Sequence, residues 1–483
     1  MHQRADQTLD REPPAPPRSP LAELMSLALP TVAQMASYTV MQFINTWMLS
    51  RLGAAAPTAA ANAGLLAFAL ISFGVGSLLI VNTLVSQNYG QRDFAACGRY
   101  LWQGVWFSLG YSVLVLPALP FLGRAFGALG HGGELAGMEV RYLQVVLSAM
   151  MFKMLAITLE QFLIATNRPN QVLVASVIGV IADVAAGYTL IFGKFGVAPM
   201  GVTGAAASQN VGVFVEMCVS AGFVFLPASR RIFNVFDWRP RVRELKTLVT
   251  VGAGSGLQAC ADIVAWWLFM VAVMGKLGEA AMAANTFMFR YMVISFMPAF
   301  GISQAVTALV GRYIGMGKPD VAEQRAHLGF KVAAVYMTLC GVVFFVFRRA
   351  LIGFFNPTPD VLELGAVLMV FAGVYQFFDA TYIVYNGALR GAGDTGVPAL
   401  VTAGLCWGIM VCGGYLVASY RPGWGVAGPW TVATIYGTVL GIFMFVRFKG
   451  GTWRRIRLEP EPITLADTGA GAPVPALHDA DAG

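Results

Sequence analysis

Eight ionisable side chains sit where water should be scarce. Lys153, Glu160, Asp183, Glu216, Asp262, Arg290, Lys331 and Asp379 all fall inside long apolar runs. A charge at the centre of a bilayer costs about 2.5–3.5 kcal/mol on the insertion scale, so each one calls for a reason. Lys331 stands one turn inside its run, where its stem can carry the ammonium back to the interface. Five carboxylates then face two cations. The surplus carboxylates must take up protons, bind a cation or face a wet cavity, and ion binding and exchange are chemistry such residues can do.

Two of them carry polar and aromatic neighbours at helical spacing. Asp262 has Gln258 one turn before it and Trp266 one turn after it, on a single face. Asp379 has Tyr375 and Gln376 before it and Tyr382 and Asn386 after it. A proton shared by these carboxylates, or a Na⁺ held by their oxygens with help from Gln258 or backbone carbonyls, would compete with a cationic substrate. Asp262 and Asp379 are therefore the expected ion-coupling site, and Na⁺ is the one metal ion considered there. Arg290, on the following helix, stands where an ion pair with Asp262 is an alternative. Rings beside carboxylates suit organic cations through charge and ring quadrupole together.

The first half reads differently. Lys153 and Glu160 are seven residues apart on one helix face and look partly mutually satisfied. Asp183 stands among small residues, where helices approach closely. Glu216 has no polar neighbour on its own face and receives no role. Asn45 shares a face with Tyr38 and Gln34, and an Asn in a span most often bonds a neighbouring helix. The residues expected along the substrate path are Tyr38, Asn45, Asp183, Gln258, Trp266, Arg290, Tyr375 and Tyr382.

These residues need a membrane frame, and the composition supplies one. Of 483 residues, 57% are hydrophobic and only 12% charged, with a mean hydropathy of +0.66. A soluble domain carries about 25% charged residues to wet its surface. The chain reads as all-α and polytopic, with twelve apolar stretches of about 20 residues or more, enough to cross roughly 30 Å of hydrocarbon each. With the N-terminus inside, cytoplasmic segments hold 21 of the 32 Lys and Arg, against eight on the other side. The positive-inside rule then sets both termini in the cytoplasm of a multi-pass protein of the cell inner membrane. No basic stripe with interleaved aromatics suggests nucleic acid. The six cysteines show no CxxC spacing, and His2, His131, His327 and His478 fall in tails or loops, so no cofactor is expected. No HExxH or GxSxG constellation supports an intramembrane enzyme.

The chain also repeats itself. Leu52-Gly53 with Ala55-Ala56 recurs as Leu277-Gly278 with Ala280-Ala281, Leu84-Val85 as Leu309-Val310, and Gly201-Val202-x-Gly204 as Gly425-Val426-x-Gly428. The offset is steady at about 225 residues. Six spans per half is an even number, so the halves share an orientation and relate by an axis along the membrane normal. The expected division is a disordered cytoplasmic N-terminus over 1–20 and an N-lobe of six spans over 21–226. A cytoplasmic linker follows at 227–245, a C-lobe of six spans at 246–449 and a disordered cytoplasmic tail at 450–483.

With these motifs in hand, residues 21–449 resemble the multidrug and toxic compound extrusion (MATE) family. LALPTVAQMASYTVMQFINTWMLSRLG resembles the family's opening pattern, and GALRGAGDT at 387–395 is close to its second-half signature. VGAGSGLQACAD and YQFFDA set Asp262 and Asp379 at the family's acidic positions. The resemblance implies two six-helix lobes in a V and export of organic cations in exchange for H⁺ or Na⁺, here by a monomer. It also marks departures. The family's usual first-helix Asp is Asn45 here, and Asp183 and Gly187 stand where the fifth helix normally carries Asn and another polar residue. A lipid-linked saccharide flippase of the same superfamily is the alternative, but a pyrophosphate cavity calls for several mid-span Arg, and this chain offers Arg290 and Lys153.

Overall fold

The computed structural model describes residues 19–53, 55–121, 133–456 and 458. Expectations for residues 1–18 and for the tail beyond 458, with His2, His131 and His478, lie outside the described residues. Among the described residues there is no strand.

Twelve helical spans run in chain order. In the first half these are α1 (Pro20–Ser50), α2 (Ala55–Gln91), α3 (Phe94–Val115), α4 (Gly133–Ser148 with Met150–Ala165), α5 (Pro169–Phe192) and α6 (Gly201–Val224). The second half holds α7 (Val242–Leu277), α8 (Glu279–Gly315), α9 (Pro319–Val346), α10 (Pro359–Gly391), α11 (Gly396–Tyr420) and α12 (Ala427–Lys449). Nine of these are long and apolar enough to cross a membrane alone, and α4, bent by 47°, makes a tenth. The more polar α1 and the aromatic-rich α3 complete twelve, at 31 and 22 residues.

Local sequence sets the ends. Pro20, Pro169, Pro319 and Pro359 occupy the first turn of α1, α5, α9 and α10, where a missing N–H costs nothing. Ser19 caps α1 and Asp93 caps α3 by accepting from Ala22 N and Ala96 N. The repeat appears in the elements themselves: α2 and α8 are both 37 residues long. The segment between halves is less of a free linker than its polarity suggested. It forms a short helix, Pro227–Phe233, and its backbone is tied to α3 by the Trp102 and Trp106 indoles, which donate to Val235 O and Trp238 O at 2.7 and 2.9 Å.

Helices pack within each half through small residues. At Gly179 of α5 and Gly212 of α6 the backbones come so close that an added Cβ would sit 2.9 Å from Glu216 Cβ or 2.7 Å from Asp183 Cβ. The halves meet near the end where α2 stops and α3 begins. Thr83 and Gln87 of α2 donate to Arg390 O and Gly391 O of α10 at 2.8 and 3.0 Å, and Thr31 of α1 donates to Gly301 O of α8 at 2.9 Å. At the same end Glu23 of α1 accepts from Arg325 Nε at 2.7 Å and from the Tyr313 hydroxyl at 2.8 Å. His327 is no loop residue: it lies within α9, and its Nδ1 is 2.7 Å from the Tyr385 hydroxyl.

Candidate functional site

The second half brings α7, α10, α11 and α12 together around Asp262. Tyr382 of α10 donates to Asp262 Oδ2 at 2.7 Å, and Tyr436 of α12 donates to Oδ1 at 3.0 Å. One turn back on α7, Gln258 Nε2 lies 3.2 Å from the Tyr382 hydroxyl, 3.3 Å from Asn386 Oδ1 and 3.1 Å from Thr402 Oγ1 of α11. A carboxylate held by two hydroxyl donors still has lone pairs to spare. Asp262 is half-buried and Asp379 buried, with 7% of its surface exposed. Asp379 lies one turn before Tyr382 on α10, near enough to feel the charge of Asp262.

Aromatic rings close one side of this cluster. Trp266 contacts Tyr375 edge-on, with centroids 6.0 Å apart, and also touches Trp430, Phe269 and Phe289. The helices flex here as well. A π-type turn, Phe269–Val273, follows α7's carboxylate by two turns, and a longer one, Cys406–Gly413, interrupts α11 beside it. Such turns spoil regular hydrogen bonding and are frequent at functional sites. Gln376, one turn before Asp379, is fully buried, and neither its Nε2 nor its Oε1 has a partner. A buried amide with both ends unmatched is costly unless something else supplies the bonds.

Sequence reasoning brought Asp262, Asp379, Gln258, Trp266, Tyr375 and Tyr382 together because all are spaced by turns along two helices. It missed Tyr436 and Thr402, which enter from α12 and α11; a lone Tyr or Thr in an apolar run gave no signal. Arg290 is not Asp262's partner. Its side chain is exposed, and among the described residues it makes no ion pair. Among the described residues, neither Asp262 nor Asp379 forms an ion pair, whereas Asp394 of the same half is paired with Arg447 at 2.8 Å.

The first half divides the residues of α1 between two clusters. Asn45 Nδ2 donates to Asp183 Oδ2 of α5 at 2.8 Å, both being buried, while Asn45 Oδ1 and Asp183 Oδ1 stay unpaired. Gln34 and Tyr38 turn instead to α4 and α6. Gln34 Nε2 donates to Glu160 Oε2 at 3.1 Å, and the Tyr38 hydroxyl donates to Glu216. Two expectations need correcting. Lys153 and Glu160 form no ion pair: the Lys153 ammonium lies over the Tyr38 ring, 5.1 Å from its centroid, and Glu160 is held by Gln34. Glu216 is not without polar company, because its partner comes from another helix.

Comparisons with known proteins agree with this architecture. The MatE family model matches residues 30–189 and 260–416, well over half of the chain, and the chain belongs to this family of transporters. It is 28% identical over 418 residues to the probable multidrug resistance protein NorM of Aromatoleum aromaticum, covering 85% of this chain and 90% of that one. It is 26% identical over 447 residues to the multidrug resistance protein PmpM of Pseudomonas aeruginosa, covering 91% and 93%. Among solved structures, it shares its fold with one described as the outward-facing conformation of a multidrug resistance MATE family transporter, at a TM-score of 0.83 and 18% identity, covering 91% of this chain and 98% of that one. A crystal structure of MATE in the bent conformation matches at a TM-score of 0.80 and 19% identity, covering 91% and 97%.

Proposed function

We propose, with membership of that family as the premise, that this protein is an efflux antiporter that expels aromatic organic cations in exchange for H⁺ or Na⁺. One observation carries the reading: Tyr382, one turn from Asp379, holds Asp262 beside the Trp266 and Tyr375 rings, and among the described residues neither carboxylate forms an ion pair. A buried anionic pair needs a positive species, and an aromatic cation or the driving ion fills that need equally well. Both cannot do so at once. Their mutual antagonism is reciprocal by thermodynamic necessity, and exchange follows from it.

In this reading Asp262 and Asp379 hold the driving ion, and Gln258, through Tyr382, Asn386 and Thr402, keeps the α7–α10–α11 frame in register. Trp266 and Tyr375 receive the substrate's ring. The halves, 21–226 and 246–449, act as two lobes rocking about the contacts near Thr83, Gln87 and Glu23. The excess of Lys and Arg on that face supports a cytoplasmic side there, with both termini on the same side of the inner membrane. The protein acts as a monomer, and the lone, exposed Arg290 gives no support to binding a lipid pyrophosphate.

The test is uptake of a fluorescent planar cation into proteoliposomes under an imposed pH or Na⁺ gradient. Accumulation that collapses with one of the two gradients supports the reading and names the ion. Transport restricted to anions, or indifferent to both gradients, overturns it.

A further inference from the structure

The second-half site leaves one buried acidic cluster unused. Glu160 on α4 and Glu216 on α6 are 5% and 3% exposed and are tied to one another through α1: Gln34 Nε2 donates to Glu160 and lies 3.2 Å from the Tyr38 hydroxyl, which donates to Glu216. Two ionised carboxylates cannot hydrogen-bond, since each is an acceptor only; a bond between them requires a proton on one. The two donors that bind them are already committed. Tyr38 serves Glu216, and Gln34 Nε2 serves Glu160 Oε2. What remains is a surplus of acceptors: Glu160 Oε1 and Gln34 Oε1 are both fully shielded, and neither has a partner. The side chains carrying them are at least nine-tenths buried.

Charge balance points the same way. Lys153, over the Tyr38 ring, is the cation acting on Glu160. The other helices against this cluster bring uncharged groups: Ser108 of α3 meets Thr158 of α4, Asn82 of α2 meets Gln161, and Ser176 of α5 faces Ser37 of α1. Two carboxylates against one ammonium leave a net negative charge in a buried place, which one added positive charge would cancel. Among the described residues no group of three His, Cys, Asp or Glu is arranged to hold a metal ion.

We infer that Glu160 and Glu216 share one proton, forming a proton-binding site in the first half that is separate from Asp262 and Asp379. The proton bridges Glu160 Oε1 and the Glu216 carboxyl, and Tyr38 and Gln34 hold the two outer oxygens in place. The site couples three helices, α1, α4 and α6. It stands whether or not the proposed second-half exchange does, because its own observations carry it.

Infrared spectroscopy of the purified full chain tests it. In the D183N/D262N/D379N protein at about pH 7, far above an ordinary glutamate value of about 4.3, the C=O stretch of one protonated carboxyl is expected. E160Q and E216Q should each abolish that band, since either change leaves one ionised glutamate facing Lys153. A band absent from the start, surviving both changes, or lost with only one of them overturns the shared proton. Buried Glu139, which takes a bond from Asn62, is the natural owner of any surviving band. Should the triple variant fail to fold, subtracting the E160Q and E216Q spectra from that of the wild type decides between the same outcomes. A failure here leaves the transport test untouched, and failure of gradient-driven transport leaves the band.

Discussion

The two halves build similar helix frames but opposite sites. In the second half the carboxylate stands on the half's first helix, as Asp262 of α7, and the tyrosine reaches it from the last, as Tyr436 of α12. In the first half the tyrosine is on the first helix, as Tyr38 of α1, and the carboxylate on the last, as Glu216 of α6. Around Asp262 the neighbours are rings and amides. Around Glu216 they are a second carboxyl, an amide and an ammonium. A repeated fold therefore does not repeat chemistry: helix lengths and turns keep the register, while single positions facing the lobe interior are free to differ. Among the described residues, the second half offers two carboxylates without an ion pair beside aromatic rings, and the first half two carboxylates near one ammonium.

That contrast is sharpest under substitution. Asp262→Asn should lower gradient-driven export by about 100-fold or more, the order expected when a charge that acts only with its partner is removed. The D262N/D379N double variant should be little worse, because the two act as one unit. Additive losses would separate them and break the contrast.

A smaller effect belongs to the rings. Trp266→Ala should weaken binding of a planar aromatic cation by about 5- to 30-fold, corresponding to about 1–2 kcal/mol of cation–ring attraction. Binding of a small aliphatic cation should change by less, and equal losses for both would deny the ring its role.

In the first half the expected readout is stability rather than transport. Asn45→Ala leaves Asp183 buried without its donor, which costs about 1–3 kcal/mol and lowers Tm while the coupling stoichiometry stays as it was. Asn45→Asp instead sets a second carboxyl against Asp183. That pair can be accommodated only with a proton between the two, so the variant should be most stable in acid and lose Tm as pH rises. A flat Tm against pH would mean that the Asn45–Asp183 contact opens to water. Least of all, Arg290→Gln should leave export within about twofold, since Arg290 is exposed and forms no ion pair among the described residues.

Much of this was legible in the chain. Periodicity and length gave the spans, because hydrocarbon thickness imposes them, and the 225-residue offset gave two matched halves. Asp262, Gln258 and Trp266 share one helix, as do Asp379, Tyr375 and Tyr382, so turn spacing alone exposed both faces. Contacts between helices were not legible. Nothing along α6 announces that Glu216 meets Tyr38, and nothing along α12 that Tyr436 meets Asp262, because such meetings depend on helix rotation and crossing, which a one-dimensional pattern does not carry. Lys153 misled for a related reason. Seven residues is two turns, a long reach on one helix, and Gln34 from α1 lay closer.

The central claim is that Asp379 belongs to the ion-coupling machinery. Its most direct test is uptake of a fluorescent aromatic cation into proteoliposomes holding equal amounts of wild-type or Asp379→Asn protein, driven by an imposed pH or Na⁺ gradient. The prediction is concentrative uptake by the wild type and a rate at the protein-free background for the variant, with both proteins folded by melting analysis. A wild-type rate from folded Asp379→Asn protein would contradict it.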